Sequence, residues 1–545
     1  MRRIETEAIV IGGGATGAGT LRDLSLRGVR AVLIEKSDIA SGTTGRNHGL
    51  LHSGARYAVN DLESARECIS ENRILKKIAR HCIEDTGGLF VTLPEDDPSY
   101  HGKLIEHCRY AGIRCEEIGV REALRMEPNL NPEILSALRV PDGTIDPFRL
   151  TSANVLDAQE RGASVFTHTE VEEILRDGDR AAGVRCRDRL TGEKIEIYAG
   201  IIVNASGVWG QRLSASAGIE LRMFPSKGSM LIIDYRINNI VVNRCRVPSD
   251  GDIIVPGDTV SLIGTTSKKV DYDRIDEITV DDDEIATLLE SGEKLIPSVS
   301  RARVLRAYCG VRPLIAVSGE MDGREISRGI VLIDHEKRDA VGGLITIAGG
   351  KLMTYRLMAE MAADLACAKL KAGKKCRTHR TPLPGSERRV DQARSVKFFT
   401  GIPNSVVGST LYRHGHRIRN ILHREKRNYG LICECEMVTE GEIEYALKKL
   451  NVRDIVDLRR RTRIGMGPCQ GQLCAYRAAG LFVKYDSATS DESNKMLVDF
   501  LEERWKGIKP VLWGDALREV EFGYWIYQGL FGLGDVRFEE EAEKR

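Results

Sequence analysis

Four cysteines near the end of the chain have types and spacing that suggest redox chemistry. Cys433 and Cys435 are separated by one residue, and Cys469 and Cys474 by four. This pattern matches poorly the Cys-x-x-Cys pairs that structural zinc sites favour. Four thiolates can instead hold a [2Fe–2S] cluster, which is a one-electron centre. The sequence therefore predicts that these four cysteines ligate such a cluster.

Three glycines near the start of the chain form the pattern Gly12-x-Gly14-x-x-Gly17 between a predicted strand and a predicted helix. Glycine permits the tight turn and the close approach of backbone to pyrophosphate, and the helix N-terminus offers free N–H groups to the phosphates. Glu35 ends the next strand, where it can accept hydrogen bonds from ribose hydroxyls. The pattern predicts a dinucleotide site, and a glycine-rich turn without a ligand is the alternative. A nucleotide cofactor and a one-electron centre in one chain imply electrons moving between them.

Two later segments favour FAD over NAD. Ala205 and Gly207 follow a predicted strand and are small enough to form a second wall against a flavin nucleotide. Gly349 and Gly350, followed by Lys351, again join a strand to a helix. The positive end of that helix suits the N1/O2 edge of a flavin, where negative charge develops on reduction. Ordinary helix-start turns are the alternative interpretation.

Basic side chains recur beside these turns, at Arg56, Arg312, Arg328 and Lys351. Arginine binds carboxylate or phosphate through two parallel hydrogen bonds, so a cluster of these residues would fit a dianionic substrate. Taken singly, each could be a surface or structural charge. A further run, RRRTR at 459–463, precedes Cys469. We favour a solvated helix face for it, with compensation of the cluster's negative charge or docking of an acidic partner as alternatives.

Two histidines, His48 and His52, lie in the loop after Glu35, within reach of a flavin ring. A histidine with a pKa near neutrality could accept a hydroxyl proton during hydride transfer. A hydrogen-bonding loop histidine is the alternative.

Composition limits the partners and the compartment. Lys plus Arg (80) nearly cancel Asp plus Glu (79), so the net charge of +1 argues against a nucleic-acid partner. No apolar stretch approaches the roughly 18–20 residues that span a bilayer. The first residues resemble no signal peptide, and the thirteen cysteines are better interpreted as reduced. We therefore expect a cytoplasmic protein.

The order of predicted elements indicates an α/β protein with α+β parts. A doubly wound FAD-dependent oxidoreductase domain is expected over 1–370, with mostly antiparallel substrate-binding insertions at about 60–140 and 222–325. A linker over 371–400, a small helical [2Fe–2S] module over 428–480 and a helical C-terminal segment over 481–545 follow.

These motifs resemble FAD-dependent glycerol-3-phosphate dehydrogenases. The block IGGGATGAG at 11–19, with Asp23, Arg27 and Gly28, is similar to the first signature of that family, and GGKLMTYRLMA at 349–359 is similar to its second. The cysteine module, with the lead-in TRIGMG at 462–467, is similar to [2Fe–2S] domains of the bacterioferritin-associated ferredoxin type. In this order the modules resemble the catalytic A subunits of the three-subunit anaerobic enzymes.

The resemblance implies oxidation of sn-glycerol 3-phosphate to dihydroxyacetone phosphate. Arg56, Arg312, Arg328 and Lys351 are similar to the family's substrate-contacting positions. It also implies a flavoprotein B subunit, a quinone acceptor and a membrane-anchoring iron–sulfur C subunit, which would hold the chain peripherally on the inner face of the membrane.

One departure from the family pattern concerns the catalytic base. Single-subunit relatives have Lys-Gly-Ser-His where this chain has Met230 as the fourth residue. Methionine cannot abstract a proton, so we assign the base to His52. Two alternatives remain at this stage: a flavin enzyme acting on another small anionic 2-hydroxy or amino acid, and a non-catalytic electron-transfer or scaffold subunit.

Overall fold

The computed structural model describes residues 2–315, 329–423 and 428–535. A mainly parallel sheet lies at the centre of the first domain, and only its last two strands pair antiparallel. Several of these strands are continuous apolar runs, as expected for a sheet covered on both faces. In spatial order the strands are Ser164–Phe166, Ala31–Ile34, Ala8–Ile11, Ile201–Asn204, Leu344–Gly349 and Ile330–Asp334.

The two faces of this sheet are covered by different layers. Leu21 and Leu24 of one helix and Ala362 and Ala363 of another pack against one face. A four-stranded sheet, whose Ile197 lies in a shared apolar cluster, covers the other. The helices on the first face are Ala15–Leu26, Pro147–Gln159 and Tyr355–Leu370; the covering strands are Arg2–Glu5, Lys194–Tyr198, Arg180–Asp188 and Thr169–Asp177.

A second large sheet is built from chain segments 88–140 and 223–315, and most of its strands pair antiparallel. Its longest ladder joins Met223–Ile233 to Val304–Ile315, and these two strands run past the first sheet. The remaining strands are Lys268–Lys269, Ser261–Gly264, Ile253–Pro256, Val241–Arg244, Gly88–Thr92, Ser136–Val140 and Glu116–Ile118. A third, small sheet consists of Leu50–Leu51, Gly143–Ile145 and Ile83–Glu84, and its Leu50 packs against Val241 of the second sheet.

Helix starts follow side-chain capping signals in the sequence. The helix Leu62–Ile78 starts after Asp61, which accepts a hydrogen bond from the Ser64 N–H. Asp281 and Glu284 form a capping box at the start of Asp282–Leu295. Other helices of the first domain are Ser99–Ala111, Val120–Met126, Gly210–Ser216 and His335–Asp339.

The last third of the chain is mostly helical and has its own apolar cores. The stretch 371–400 includes a helix, Gln392–Phe398, and its buried Leu383 packs in a core of the first domain. The cysteine module and the C-terminal helices share one core, in which Phe482, Phe500 and Tyr527 meet. The helices are Asn404–His414, Glu440–Lys449, Ile455–Thr462, Ala475–Lys484, Ser490–Ile508 and Asp515–Tyr524, followed by a π-helical turn Trp525–Leu530; the strands are Leu431–Cys433 and Val438–Thr439.

The basic run 459–463 is not a solvated helix face, so the favoured interpretation of it was wrong. Arg461 is buried and donates to Asp38 in the first domain, with Nη1 to Oδ2 at 3.0 Å. Arg463 pairs with Asp258 at 2.7 Å and with Glu436 at 2.9 Å. The partners are distant in sequence, so local pattern alone could not reveal them. These contacts join the cysteine module to the first domain.

The predicted fold is confirmed: a doubly wound domain with a mostly antiparallel insertion, followed by a helical cysteine module and a helical C-terminal segment. In the described part of the chain, no helix combines the length and the apolar character needed to cross a bilayer.

Candidate functional site

A cavity of about 1090 Å³ lies at the carboxyl ends of the parallel strands, between the two large sheets. Ligands bind at this edge in open α/β sheets, because each strand delivers its following residues to the same place. Predicted residues from six separate segments line it: Gly12, Gly14, Glu35, His52, Arg56, Ala205, Gly207, Arg312, Gly349, Gly350 and Lys351.

The first glycine turn requires residues without a side chain. Gly12 has φ +109°, and a Cβ there would lie 2.5 Å from the carbonyl oxygen of Ala205. A Cβ at Gly17 would lie 1.9 Å from the carbonyl oxygen of Gly12. Gly17 does not line the cavity; it lets the helix pack on the strand. Gly14 caps the helix without a side-chain hydrogen bond, so the helix start can face an anion.

Glu35 lies beside this turn and is held by backbone N–H groups. Its Oε2 accepts from Gly13 at 2.7 Å and its Oε1 from Ser37 at 2.9 Å. Burial raises the pKa of Glu35, while both hydrogen bonds oppose the shift. A carboxylate oxygen has more than one lone pair, so Glu35 can still accept from ribose hydroxyls.

The opposite wall of the cavity is formed by the two later turns. Gly207 has φ +62° and faces open space. Gly349 and Gly350 have φ values of +77° and +65°. A Cβ on Gly349 would meet the carbonyl oxygen of Gly329 at 2.3 Å. These turns keep backbone close to the cavity, which fits a flat cofactor lying between the walls.

The cationic end of the cavity is made by Arg312, Arg56 and Lys351. Four oxygen atoms of residues 226, 227, 265 and 266 hold the Arg312 guanidinium, at 2.6 to 3.2 Å. Arg56 donates to Asp252 and to the carbonyl of Ser249, both at 3.0 Å. Lys351 Nζ donates to Ser64 Oγ at 2.9 Å. Arg328 lies outside the described residues.

Two histidines face the same cavity, with different environments. His52 is buried, and its ring centroid lies 5.3 Å from that of Tyr57 and 5.8 Å from that of His48. The Nδ1 of His48 accepts from the Leu50 N–H at 3.2 Å. Burial, reinforced by the charges of Arg56 and Arg312, lowers the pKa of His48 to about 3. His48 is therefore a neutral imidazole with its proton on Nε2.

Met230 lines the cavity but is buried in its wall. Its strand pairs Met230 with Gly264 and Tyr308, and a Cβ on Gly264 would lie 2.7 Å from Met230 Cγ. The thioether thus fills space in the second sheet. It offers no proton acceptor to a substrate.

The four predicted cluster ligands converge from separate elements. Cys433 ends a strand, Cys435 lies in the following turn, Cys469 lies in a loop and Cys474 caps the helix Ala475–Lys484. The thiols of Cys433 and Cys469 each lie within hydrogen-bond reach of those of Cys435 and Cys474. The Sγ atoms of Cys435 and Cys469 are 3.3 Å apart.

Backbone N–H groups also point at these sulfurs, as they do at iron–sulfur sites. Those of Glu436 and Gly465 face Cys433, and those of Gly471 and Leu473 face Cys469. Neighbouring thiols and these N–H groups hold the pKa of Cys433 and Cys469 below its ordinary value. The same hydrogen bonds raise the pKa of Cys435 and Cys474, which act as the donors to those two thiols. Four converging thiols with backbone N–H groups around them fit the ligand set of a [2Fe–2S] cluster.

Comparison with known proteins agrees with both sites. A family model described as FAD dependent oxidoreductase matches residues 7–356, and one described as BFD-like [2Fe-2S] binding domain matches residues 431–483. The chain is 56% identical over 528 residues to the A subunit of the anaerobic glycerol-3-phosphate dehydrogenase of Escherichia coli (strain K12), covering 97% of each chain. The Haemophilus influenzae protein of the same name is 51% identical, covering 99% of this chain and 96% of the relative.

The chain belongs to the family of A subunits of anaerobic glycerol-3-phosphate dehydrogenases. A solved glycerol-3-phosphate dehydrogenase from Bacillus halodurans, in complex with FAD, has the same fold with a TM-score of 0.70. It is 23% identical and covers 94% of this chain and 96% of that one. As a member of this family, the chain is an FAD-dependent oxidoreductase with a [2Fe–2S] domain. The predicted cofactors are confirmed, and a non-catalytic scaffold is excluded.

Two side chains of this dehydrogenase-family site, those of Tyr57 and Thr44, were not predicted from the sequence. Tyr57 stacks between His52 and Lys351, whose Nζ lies 4.5 Å from its ring centroid. Thr44 Oγ1 accepts from the Ala15 N–H at 3.0 Å, at the start of the dinucleotide helix. Tyr57 directly follows Arg56, and Thr44 lies in a Gly-Thr-Thr-Gly turn, so local signals existed for both.

Proposed function

We propose that this chain oxidises sn-glycerol 3-phosphate to dihydroxyacetone phosphate. The observation that carries the proposal is one cavity with glycine turns at one end and a cationic wall at the other. The first end fits the nucleotide and ring of FAD, and the second fits a phosphate dianion. The names of the relatives support this substrate.

The positive charge of Arg312 attracts the substrate phosphate, with Lys351 beside it. Its guanidinium is fixed by oxygen acceptors, so binding costs little side-chain entropy. Lys351 has three N–H donors and gives one to Ser64. The Arg56 charge is balanced by Asp252, so Arg56 orients the loop and adds less to the net field. Arg328 belongs to the same proposed set.

His52 accepts the proton of the C2 hydroxyl in this proposal. His48 is the other imidazole in the cavity, but a pKa of about 3 makes it a poor acceptor. Its Nε2–H instead donates a hydrogen bond to the developing carbonyl oxygen. His52 is buried beside Tyr57, which limits its rotation. FAD, when bound, takes two electrons with the hydride and can return them singly.

The electrons leave through the cluster module to partner proteins. The relatives are named as A subunits, which indicates a multi-subunit enzyme. We infer a flavoprotein B subunit, a quinone as final acceptor and a membrane-anchoring iron–sulfur C subunit. The chain would then be cytoplasmic and lie on the inner face of the membrane through its partners.

An anaerobic titration of the FAD-loaded chain with glycerol 3-phosphate tests the proposal. The flavin absorption bands should bleach at stoichiometric substrate, whereas lactate and glycine at the same concentrations should leave them unchanged. Bleaching by lactate or glycine and not by glycerol 3-phosphate would show that the substrate is a carboxylate instead. If the purified protein is colourless, the proposal that the cavity binds a flavin is rejected.

A matched pair of variants tests the phosphate contact. Arg312→Gln removes a charge-assisted interaction of about 1.5–3 kcal/mol, so the substrate concentration for half-bleaching should rise about 10- to 100-fold. Arg222→Gln is the control, because Arg222 is an exposed arginine that stacks on Phe224. If both variants reach half-bleaching at the same substrate concentration, Arg312 has no role in substrate binding.

A further inference from the structure

Three arginines from distant segments meet between the flavin domain and the cysteine module. Arg306 lies in the strand Val304–Ile315, Arg459 in the helix Ile455–Thr462 and Arg504 in the helix Ser490–Ile508. We refer to Arg306, Arg459 and Arg504 as the junction arginines. Arg306 is 7% exposed and Arg504 is 9% exposed, so neither is solvated in the ordinary way.

The junction arginines lack the partners that buried guanidinium groups normally have. Among the described residues, Nε and Nη1 of Arg306 and Nε of both Arg459 and Arg504 have no hydrogen-bond partner. Glu503 acts electrostatically on Arg306 and Arg459, but it already pairs with Lys506 at 3.1 Å. Buried unpaired cations are costly unless an anion compensates them.

Burial lowers the pKa of all three junction arginines, and mutual repulsion adds to the shift for Arg306 and Arg459. The strand and the C-terminal helix are in close contact here. A Cβ on Gly507 would lie 2.7 Å from Nε of Arg306 and 3.1 Å from the carbonyl oxygen of Ala307. Arg306 is therefore packed closely against the helix Ser490–Ile508.

One end of this arrangement faces the cluster ligands. Arg504 interacts electrostatically with Cys469 and Cys474. It also acts on Tyr527, whose hydroxyl donates to the carbonyls of Gly471 and Gln472 in the ligand loop, at 3.3 and 3.1 Å. A [2Fe–2S] cluster with four thiolate ligands is an anion, and it gains one more negative charge on reduction. The acidic side chain that also acts on Arg504 is Glu519, which already pairs with Arg303 at 3.1 Å, so the cluster would supply the further counter-charge.

The other end reaches the wall of the flavin cavity. Arg306 acts on Tyr308, two residues along the same strand, and the Tyr308 hydroxyl donates to the carbonyl of Asn47 at 2.8 Å. Asn47 and Arg46 line the cavity, and the charge of Arg46 acts on Arg306. The junction arginines thus occupy the space between the cavity wall and the cluster loop.

We propose that Arg504, with Arg306 behind it, stabilises the reduced [2Fe–2S] cluster and so draws electrons from the flavin towards the cluster. This rests on the proposed function only in its use of the cluster as the electron exit. In the step concerned, reduced flavin loses one electron and one ferric ion of the cluster becomes ferrous, while no bond forms or breaks at the arginines. Arg504 and Arg306 are positioning residues, because they act through the cluster's charge and touch no reacting atom.

Redox potentiometry of the full chain with both cofactors tests the proposal. The reduced cluster is followed by electron paramagnetic resonance and the flavin by its visible bands, under dithionite and dye mediators. Arg504→Gln should lower the cluster's midpoint potential while the flavin potential stays unchanged. A tenfold smaller equilibrium constant for flavin-to-cluster transfer corresponds to about 59 mV for a one-electron couple. Arg306→Gln should give a smaller shift of the same sign.

Conservative and remote variants separate charge from structure. Arg504→Lys keeps the positive charge, so the midpoint potential of its cluster should stay close to that of the unaltered chain. Arg518→Gln is the control, because Arg518 pairs with Asp515 on the surface. An unchanged cluster potential in Arg504→Gln with the cluster intact would overturn the proposal. Should that variant fail to hold a cluster, Arg306→Gln decides, since Arg306 lies one layer away from the ligand loop.

The potential is measured without substrate, so this test and the test of the function can fail separately. If the arginine variants shift the cluster potential as expected but glycerol 3-phosphate does not bleach the flavin, only the proposed substrate is rejected. If glycerol 3-phosphate bleaches the flavin but substitution of Arg504 or Arg306 leaves the potentials unchanged, only the role proposed for the junction arginines is rejected.

Discussion

Arginines of one short run have opposite environments at the boundary between the flavin domain and the cysteine module. Arg460 and Arg461 both pair with the buried Asp38, and Arg463 pairs with Asp258. Arg459, on the same helix, has an unsatisfied Nε and lies with the other junction arginines. The paired side resembles a permanent domain contact, where each charge has its counter-charge. The unpaired side is organised for an anion that arrives with the cofactor.

This difference separates two roles that a basic run can have. Paired charges fix the cysteine module on the first domain, because removing either partner leaves a buried charge uncompensated. Docking of the module on the first domain does not explain the unpaired charges, because buried charges without a counter-charge destabilise that contact. They are explained by a negative group between the ligand cysteines. Single substitutions can therefore alter one side and leave the other intact.

The largest effect is expected from Cys469→Ser, which removes one ligand. The resonance signal of the reduced cluster should disappear, and transfer to partner subunits or quinone should be lost. Reduction of a dye that takes electrons directly from the flavin should continue, because the cavity contains none of the four cysteines. Loss of soluble folded protein in this variant would instead make the cluster a structural element.

On the paired side, Asp38→Asn should destabilise the protein by about 3–5 kcal/mol, because it strands Arg460 and Arg461 without their carboxylate. Urea unfolding followed by far-ultraviolet circular dichroism measures this. Asp515→Asn, which breaks a surface pair with Arg518, should change stability by no more than about 1 kcal/mol. Equal costs for the two variants would contradict a docking role for Asp38.

Acid should weaken the same contact through Asp258. Burial alone would raise its pKa, but Arg149 and Arg463 hold the pKa of Asp258 at about 2, below the ordinary 3.8. A depressed folded-state pKa contributes stability above the unfolded value, and that stability is lost as pH falls towards 2. The difference is about 2 kcal/mol. The stability of Asp258→Asn should therefore vary less between about pH 4 and 2 than that of the unaltered chain.

On the unpaired side, a small effect of the opposite sign is expected from Arg459→Gln. In cluster-free protein this substitution removes an uncompensated charge, so stability should stay within about 1 kcal/mol of the original or rise. Arg461→Gln, on the same helix, should destabilise because it weakens the contact with Asp38. Thermal unfolding of the two cluster-free variants measures this difference. An equal loss of stability in both would contradict the distinction between the paired and the unpaired arginines.

The sequence was sufficient for features that depend on neighbours in the chain. The glycine turn at Gly12, the acidic strand end at Glu35 and the cysteine spacing follow from local rules, and each residue lies where the corresponding motif requires it. The parallel strands explain why their following residues meet at one edge. The doubly wound fold was predictable for the same reason.

Features that depend on distant partners could not be predicted. Arg461 finds Asp38 across 423 positions, and nothing near 459–463 distinguishes the paired arginines from Arg459. The low pKa of His48 arises from burial with Arg56 and Arg312, which the fold assembles from separate segments. The assignments of His52, Arg56, Arg312, Arg328 and Lys351 to the substrate remain predictions.

The most direct measurement is an anaerobic titration of the chain carrying both cofactors with glycerol 3-phosphate, with flavin bleaching and the resonance of the reduced cluster recorded on the same samples. Both signals should develop together as substrate is added. A bleached flavin beside a cluster that stays oxidised, although dithionite can reduce it, would contradict electron transfer from the flavin cavity to the cluster.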